Sequence, residues 1–205
     1  VGLGTRVAST TSMYTQGSMN ASESATDFAI EGDGFFAIRG ADGETYYTRN
    51  GNFTWAIDAA GNTLLTDVEG CPVLDREGDA IYVPEGITAE AMIFEQSGAI
   101  SYRLPDGTVV DMNQAFGIYQ FNNPSGLEKL SYSRLQQTDA SGQAMLEGEM
   151  GTIPSKVNQY YLEGSNVQVA DEMVNMIIAQ RAYEMNSKAI QTADSMLQTA
   201  NELKR

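Results

Sequence analysis

The sequence contains no histidine and only one cysteine, Cys71. The absence of histidine excludes Ser-His-Asp and Cys-His nucleophilic catalysis, and it removes a common ligand of zinc sites. A lone cysteine cannot form an internal disulfide, so cysteine usage does not indicate a cellular compartment. Because Cys71 lies in the stretch "GCPVL", we predict a small buried residue rather than a reactive thiol.

Basic residues are also scarce. The 205 residues include 12 Lys and Arg against 27 Asp and Glu, a formal net charge of −15. Nucleic acid and anionic membrane surfaces would repel such a chain, so neither is expected as a partner. The imbalance is confined to residues 1–165, with 22 acidic and 8 basic side chains, whereas residues 166–205 carry 5 and 4. The first segment therefore predicts an acidic, solvated surface.

Long apolar runs are missing as well. None approaches the roughly 18 residues that a membrane-spanning helix needs, so no membrane span is expected. The first residues lack the basic and apolar regions of a cleaved signal peptide. The sequence opens on "VGLGTRV" rather than on Met, from which we expect a piece of a longer protein.

The stretch "AIEGDGFFAIRG" contains Gly32, Gly34 and Ala37 at the spacing of a dinucleotide-binding loop. Such a loop needs a strand before it and a helix after it. "DFAI" is typical of a strand, but "GFFAIRG" has adjacent aromatics, no helical periodicity, and a second turn directly behind it. We therefore predict a hairpin turn and no bound cofactor.

Short apolar segments separated by Gly, Asn or Asp turns continue along the chain at intervals of roughly 8–12 residues. This pattern predicts an antiparallel β domain over residues 26–150, with turns at 32–34, 50–51, 60–62 and 106–107. The acidic turns do not match the calcium-binding loop of an EF-hand and are interpreted as solvated carboxylates, with no metal site. Paired carboxylates that hydrolyse a glycoside stay an open alternative, because such partners meet only in the fold.

The chain changes character at Gly164. Ser165 and Gln168 have the spacing of a helix capping box, and no Gly or Pro follows up to Arg205. We predict one helix of nearly forty residues within an assembly segment at 166–205. Residues 1–25 and 151–165 are predicted as extended connectors on either side of the β domain.

The predicted helix carries an apolar heptad pattern. A first row recurs every seven residues, and small residues follow three positions after most of its members; a second row lies beside the first. This apolar arc is wider than a two-stranded coiled coil needs, which favours contact with several neighbouring helices over a helix packed on its own β domain. The predicted subunit-interface residues are Val169, Met176, Tyr183, Ile190 and Leu197 in the first row, and Ala182, Ala189, Met196 and Leu203 in the second. We expect the first row to be exposed in a single chain.

Four segments resemble bacterial flagellar axial proteins of the rod and hook, and within that family most closely the distal rod members. The segments are "TTSMYTQGSMNASESATDFAIEGDGFF", "YYTRNGNFTWAIDAAGNTLLT", "FNNPSGL" and "LEGSNVQVADEMVNMIIAQRAYEMNSKAIQTADSML". They cover most of the chain in the order in which the family has them. The resemblance identifies the loop at Gly32–Gly34 with that family's Gly-Phe-Phe hairpin.

The resemblance implies a structural, non-enzymatic subunit of the basal-body rod that polymerises into a tubular drive shaft. In the family, an N-terminal helix packs with the C-terminal helix around an export channel, and we expect that this sequence does not include that helix. The implied partners are further copies of the chain, proximal rod and hook proteins, and the P and L rings. The implied location is the periplasmic part of the flagellum, reached by flagellar export without a cleaved signal peptide.

The resemblance also implies that residues 5–14 lie beside residues 152–162, partly as paired strands. Alternatives within the family are a proximal rod or hook paralogue and the basal-body homologues of Gram-positive bacteria. An alternative of another class is a secreted β binding or adhesion module on a helical stalk. An aromatic ligand pocket containing Trp55 and Tyr46 would favour that module.

Overall fold

A computed structural model of the protein describes residues 6–149 and 151–203. The chain divides after Gly164 into two compact units, a β body and a helical unit. The body contains the strands β1 Met19–Ala21, β2 Phe28–Glu31, β3 Phe35–Arg39, β4 Thr45–Thr48, β5 Thr54–Ile57, β6 Thr63–Thr66, β7 Met92–Phe94, β8 Ala99–Arg103, β9 Val109–Ala115, β10 Ile118–Gln120, β11 Glu128–Lys129, β12 Arg134–Gln136, β13 Met145–Leu146, β14 Lys156–Gln159 and β15 Tyr161–Glu163. Short 3-10 turns lie at Ala89–Ala91, Pro124–Gly126 and Ser131–Ser133. The second unit contains α1, Val169–Glu202.

Every strand pair in the described body is antiparallel. The largest sheet has the order β11-β12-β4-β3-β10-β13, and a second has the order β7-β8-β9. Three two-stranded pairs, β1-β15, β14-β2 and β5-β6, complete the body. The predicted fold class, mainly antiparallel β with one long C-terminal helix, is confirmed. None of the described helices is long and apolar enough to cross a membrane.

Strand β3 is buried on both faces and separates two apolar clusters. Phe36 and Ile38 belong to a larger cluster around Phe28, whereas Phe35 and Ala37 belong to a smaller one. Successive side chains of a strand point to opposite faces, so each cluster receives alternate residues. Burial on both faces explains why "FFAI" is continuously apolar instead of alternating with polar residues.

Three successive hairpin turns begin at Asp58, Asp67 and Asp75. In each turn the aspartate Oδ1 accepts hydrogen bonds from the backbone N–H groups two and four residues later. The residue three positions after each aspartate is a glycine with positive φ, which donates its N–H to the aspartate carbonyl. The turns predicted at 60–62 and 106–107 are confirmed. The carboxylates of Asp58, Asp67 and Asp75 are not merely solvated, as interpreted above, because each accepts hydrogen bonds within its own turn.

The hairpin predicted around Gly32 and Gly34 is wrong, although the chain does bend there. Strand β2 pairs with β14, whereas β3 pairs with β4 and β10, so the bend leads from one sheet to another. Gly32 has φ +138°, and a Cβ on Gly34 would lie 2.3 Å from the Ile118 side chain. The glycines therefore permit close packing at a corner rather than a tight hairpin. The region following the bend is strand, as predicted, and not the helix of a dinucleotide-binding loop.

The strand pairing predicted for residues 5–14 is also wrong for the described residues 6–14, which form no strand, and residue 5 lies outside the described residues. The return segment pairs with later residues than 5–14: Tyr161–Glu163 pairs with Met19–Ala21, and Lys156–Gln159 pairs with β2. Tyr14 instead packs edge-on against Phe35, with ring centroids 5.6 Å apart. Burial of the Tyr14 ring against Phe35 is more favourable than a place in an exposed strand pair, where the ring would stay in water. The same burial raises the pKa of the Tyr14 hydroxyl above its ordinary value.

Cys71 is buried, as predicted, and its backbone N–H donates to Asp67 in the second hairpin turn. Burial, together with the nearby Asp67 carboxylate, raises the pKa of the Cys71 thiol above its ordinary value. A raised pKa reduces the thiolate fraction at neutral pH, so Cys71 is a poor nucleophile.

Gly51 provides a sharp test of the packing. A Cβ added there would lie 1.8 Å from the Phe28 carbonyl oxygen, which belongs to the backbone of β2 and cannot move alone. We expect Gly51→Ala to reduce the free energy of unfolding by about 3 kcal/mol or more in urea titrations. Gly61→Ala is the control, because Gly61 has positive φ and no atom within 4 Å, so strain of about 1 kcal/mol is expected. Equal losses for the two variants would contradict the described approach of Gly51 to β2.

The buried hydroxyl of Tyr47 makes the stability of the β body depend on pH in the alkaline range. Burial raises the pKa of the Tyr47 hydroxyl to about 12, from 10.0. A raised folded-state pKa gives stability that is complete below pH 10 and is lost as pH rises through the folded pKa. We expect the free energy of unfolding to fall between about pH 10 and 12 by about 1–2 kcal/mol less in Tyr47→Phe than in the unchanged protein. An unchanged alkaline slope in urea titrations of this variant would show that Tyr47 ionises normally.

Candidate assembly interface

Helix α1 begins at Val169, and its N-cap residue Gln168 makes no side-chain capping hydrogen bond. The predicted capping box at Ser165 is therefore wrong: the Ser165 hydroxyl accepts from the Val167 N–H in a turn before the helix. Asp171 and Glu172 lie in the first helical turn, where negative charge is favourable next to the exposed N–H groups. The helix then continues without interruption over 34 residues.

The predicted interface residues all lie on this helix or at its end, and none is buried. The first row, Val169, Met176, Tyr183, Ile190 and Leu197, is 65–77% exposed. In the second row, Met196 and Leu203 are 64% and 83% exposed, and Ala182 and Ala189 are also exposed. The predicted exposure of the first row in a single chain is confirmed, while its role as an interface stays a prediction.

Outside both rows, the first ten residues of α1 contain four apolar side chains larger than alanine, Met173, Val174, Ile177 and Ile178, which are 48–60% exposed. The heptad analysis did not include them for that reason. Residues 18 positions apart lie on the same side of a helix, since 18 residues make about five turns. The counterparts of Met173, Val174 and Ile177 at that spacing are polar, namely Gln191, Thr192 and Ser195, whereas the counterpart of Ile178 is the apolar Met196.

The reverse relation holds on the other side of the helix. Glu172 and Asn175, near the start, share a side with Ile190 and Ala193 farther on. The apolar surface is therefore broader near the start of α1, where it includes a side that is polar farther on, while the first row continues along the whole helix. We name the first apolar surface face N, made of Met173, Val174 and Ile177, and the second face C, made of Tyr183, Ile190, Ala193 and Leu197.

Contacts within α1 contribute little to its stability. Side-chain hydrogen bonds join Gln180 to Glu184 and Gln198 to Glu202, and no ion pair forms between described residues of the helix. Such pairs are worth about 0.2–0.5 kcal/mol each. Helices of this kind derive most of their stability from packing of an apolar face. Faces N and C are consequently the strongest candidate interaction surfaces of the protein.

The β body offers weaker candidates for chemistry. A surface depression of about 500 Å³ is lined by residues including Glu90, Met92, Arg103 and Tyr160. Tyr46 is buried and Trp55 packs against the large apolar cluster, so neither aromatic lines this depression. The described residues include no group of three His, Cys, Asp or Glu side chains placed to hold a metal ion.

Three carboxyl groups of the β body have pKa values below their ordinary value. A hydrogen bond from Tyr46 lowers the pKa of Asp42, and backbone hydrogen bonds lower the pKa values of Asp58 and Asp106. The general acid of a glycosidase needs a raised pKa instead. These carboxylates act as acceptors that hold turns.

Two family descriptions match the chain. Residues 29–102 match the D1 domain of flagellar hook protein FlgE/F/G, and residues 158–203 match the C-terminal region of flagellar basal body rod FlgEFG proteins. The second match spans strand β15 and helix α1, including both apolar faces.

Individual proteins match over nearly the whole chain. The flagellar basal-body rod protein FlgG of Borreliella burgdorferi is 41% identical over 100% of this chain and 74% of its own length. FlgG of Bacillus subtilis is 36% identical over 100% of this chain and 75% of its own length. The rod protein FlgF of Salmonella typhimurium is 31% identical over 92% of this chain and 72% of its own length. The chain belongs to the flagellar basal-body rod protein family.

Proposed function

We propose that the protein is a structural subunit of the distal flagellar rod, which polymerises into a tubular drive shaft that transmits torque to the hook and encloses the export channel. The observation that carries the proposal is the exposed apolar surface of α1 in a chain whose similarity to FlgG extends over its whole length. The identity to FlgG relatives, 35–41%, compared with 31% for FlgF, favours the distal over the proximal rod.

The helix supplies the assembly contacts in this proposal. Burial of a large apolar side chain stabilises by about 1.5–3 kcal/mol, so coverage of the nine predicted interface residues and face N would favour a polymer strongly. Faces N and C lie on opposite sides of α1, which a single neighbour cannot cover. Each helix therefore contacts at least two neighbours, the geometry that a closed tube of helices requires.

The remaining parts follow from the same family. We propose the predicted β domain at 26–150 as the outer layer of the shaft, and residues 1–25 and 151–165 as the connectors to the inner layer. Its partners are further copies, the proximal rod and hook proteins, and the P and L rings; nucleic acid is not a partner. The subunit acts in the periplasm, arrives by flagellar export without a cleaved signal peptide, and is not an enzyme.

Replacement of Ile190 tests face C. We expect Ile190→Asp to raise the critical concentration for polymerisation of the full-length protein at least about tenfold, because a carboxylate would replace a buried apolar group. Ser195→Asp is the control, since it also introduces Asp but lies about 140° away around the helix and outside both predicted rows. Sedimentation and electron microscopy of short tubes provide the measurement. Equal effects of both variants would point to loss of the helix itself and contradict the assignment of face C.

Replacement of Ile177 tests face N independently. We expect Ile177→Asp to weaken polymerisation to a similar degree, and Asn175→Asp, on the opposite side of the same turn, to have little effect. Circular dichroism and urea unfolding should show an unchanged β body in every variant, because its apolar clusters lie in a separate unit. Normal tubes from Ile177→Asp would show that only face C is used.

A further inference from the structure

Strands β1 and β15 pair at the place where the chain enters and leaves the β body. Their register is antiparallel, with Met19 opposite Glu163 and Ala21 opposite Tyr161. Both chain connections therefore emerge from the same end of the pair, beside Met19 and Glu163. A force that separates the two connections would break the ladder one hydrogen bond at a time, starting from this end.

The ladder itself is weak. It has three residues in each strand and forms a sheet of only two strands, which is marginally stable in water. One further backbone hydrogen bond, from the Gly164 N–H to the Ser18 carbonyl, extends it at the entry end. At the far end the Ser22 N–H donates to the Tyr160 carbonyl.

The Glu163 carboxylate fastens the entry end to two other segments. It accepts from Arg49 Nε at 2.6 Å and Nη2 at 3.4 Å, and from the Gly17 backbone N–H at 2.8 Å. The two charged side chains are 17% and 11% exposed, so water and salt screen their attraction less than at an open surface. One carboxylate thus joins the incoming chain, the outgoing chain and the body.

Arg49 is itself held rigidly. Its Nη1 donates to the Gly34 carbonyl at 2.9 Å, and its Nη2 lies 3.5 Å from the Ile30 carbonyl. The guanidinium also lies over the ring of Phe35, 5.9 Å from the centroid. These contacts orient the planar fork of donors toward Glu163, a geometry that lysine cannot reproduce.

We infer that the Arg49–Glu163 ion pair is a mechanical lock, which keeps the β1-β15 ladder closed at the end where load reaches the body. The inference rests on the proposed function in one respect: the load arises when the helical unit is fixed in a rotating polymer. The lock itself is a property of the single chain. Release of the pair opens the ladder from Met19 and Glu163 inward and leaves the six-stranded sheet intact.

Amide hydrogen exchange of the monomer tests the lock. In Arg49→Met and in Glu163→Gln, we expect the Gly164 amide to exchange at least tenfold faster, the Ser22 amide to change less, and the β3 and β4 amides to stay unchanged. Arg134→Met is the matched control, because it removes the other ion pair of the described body, Arg134 with Glu69. In this control the exchange at Gly164 and Ser22 should not change.

Three results would overturn the inference: unchanged exchange at Gly164 in both variants, equal acceleration at Gly164 and Ser22, or acceleration throughout the body. The last result would make the pair part of the core, and urea unfolding of Glu163→Gln identifies that case by a lowered midpoint. Single-molecule pulling through Arg6 and Val167, which leaves α1 outside the loaded segment, gives a second readout, with a lower force for the first extension step in Glu163→Gln. None of these measurements involves polymerisation. They can therefore contradict the lock while Ile190→Asp still weakens assembly, or support the lock while Ile190→Asp leaves assembly unchanged.

Discussion

The β body depends on pairing between the two ends of its own chain. Strand β2 pairs with β14 across 124 intervening residues, and β1 pairs with β15 across 139. Between them, β3-β4, β5-β6 and β7-β8-β9 form local hairpins that can fold early, whereas β3-β10 and β4-β12 also pair residues that are distant in sequence. Loop closure over such distances costs entropy that only later contacts offset. Until these pairs form, the six-stranded sheet lacks the cover that Val157 gives to the large apolar cluster. The large apolar cluster is therefore complete only when β14 has paired with β2.

Local features of this fold could be predicted from sequence because they depend on short segments. Each hairpin turn at Asp58, Asp67 and Asp75 is specified by an acceptor side chain and a glycine three residues later. The bend at Gly32–Gly34 shows the limit of such reasoning. Its glycines do not form a hairpin but allow contact with Ile118 and Ser155, residues that are distant in sequence. The strand partners of the chain ends failed for the same reason, because Tyr14 is placed by its packing on Phe35.

The candidate interface on α1 was more predictable than the strand partners of the β body, because the spacing of apolar residues in a helix can be read directly from the sequence. The heptad rows identified exposed residues such as Ile190 and Leu197 correctly. Face N was missed because a seven-residue repeat selects only residues along one line, which shifts slowly around the helix. A comparison of residues 18 positions apart finds it, since Ile177 is apolar and Ser195 is polar. The capping box failed because the Ser165 hydroxyl holds a turn and leaves α1 to begin without a side-chain cap.

The distribution of charge fits a division of labour between the two units. Residues 1–165 carry 22 acidic and 8 basic side chains, whereas 166–205 carry 5 and 4. In the proposed polymer, like-charged bodies repel one another at distances up to about 10 Å at moderate salt, and nearly neutral helices do not. Repulsion that is spread over the β bodies cannot specify how neighbouring copies align. It does disfavour contacts in which two copies touch through their bodies without contact between their helices. Apolar attraction along faces N and C then decides which contacts persist, so the acidic surface contributes specificity and the helix contributes affinity.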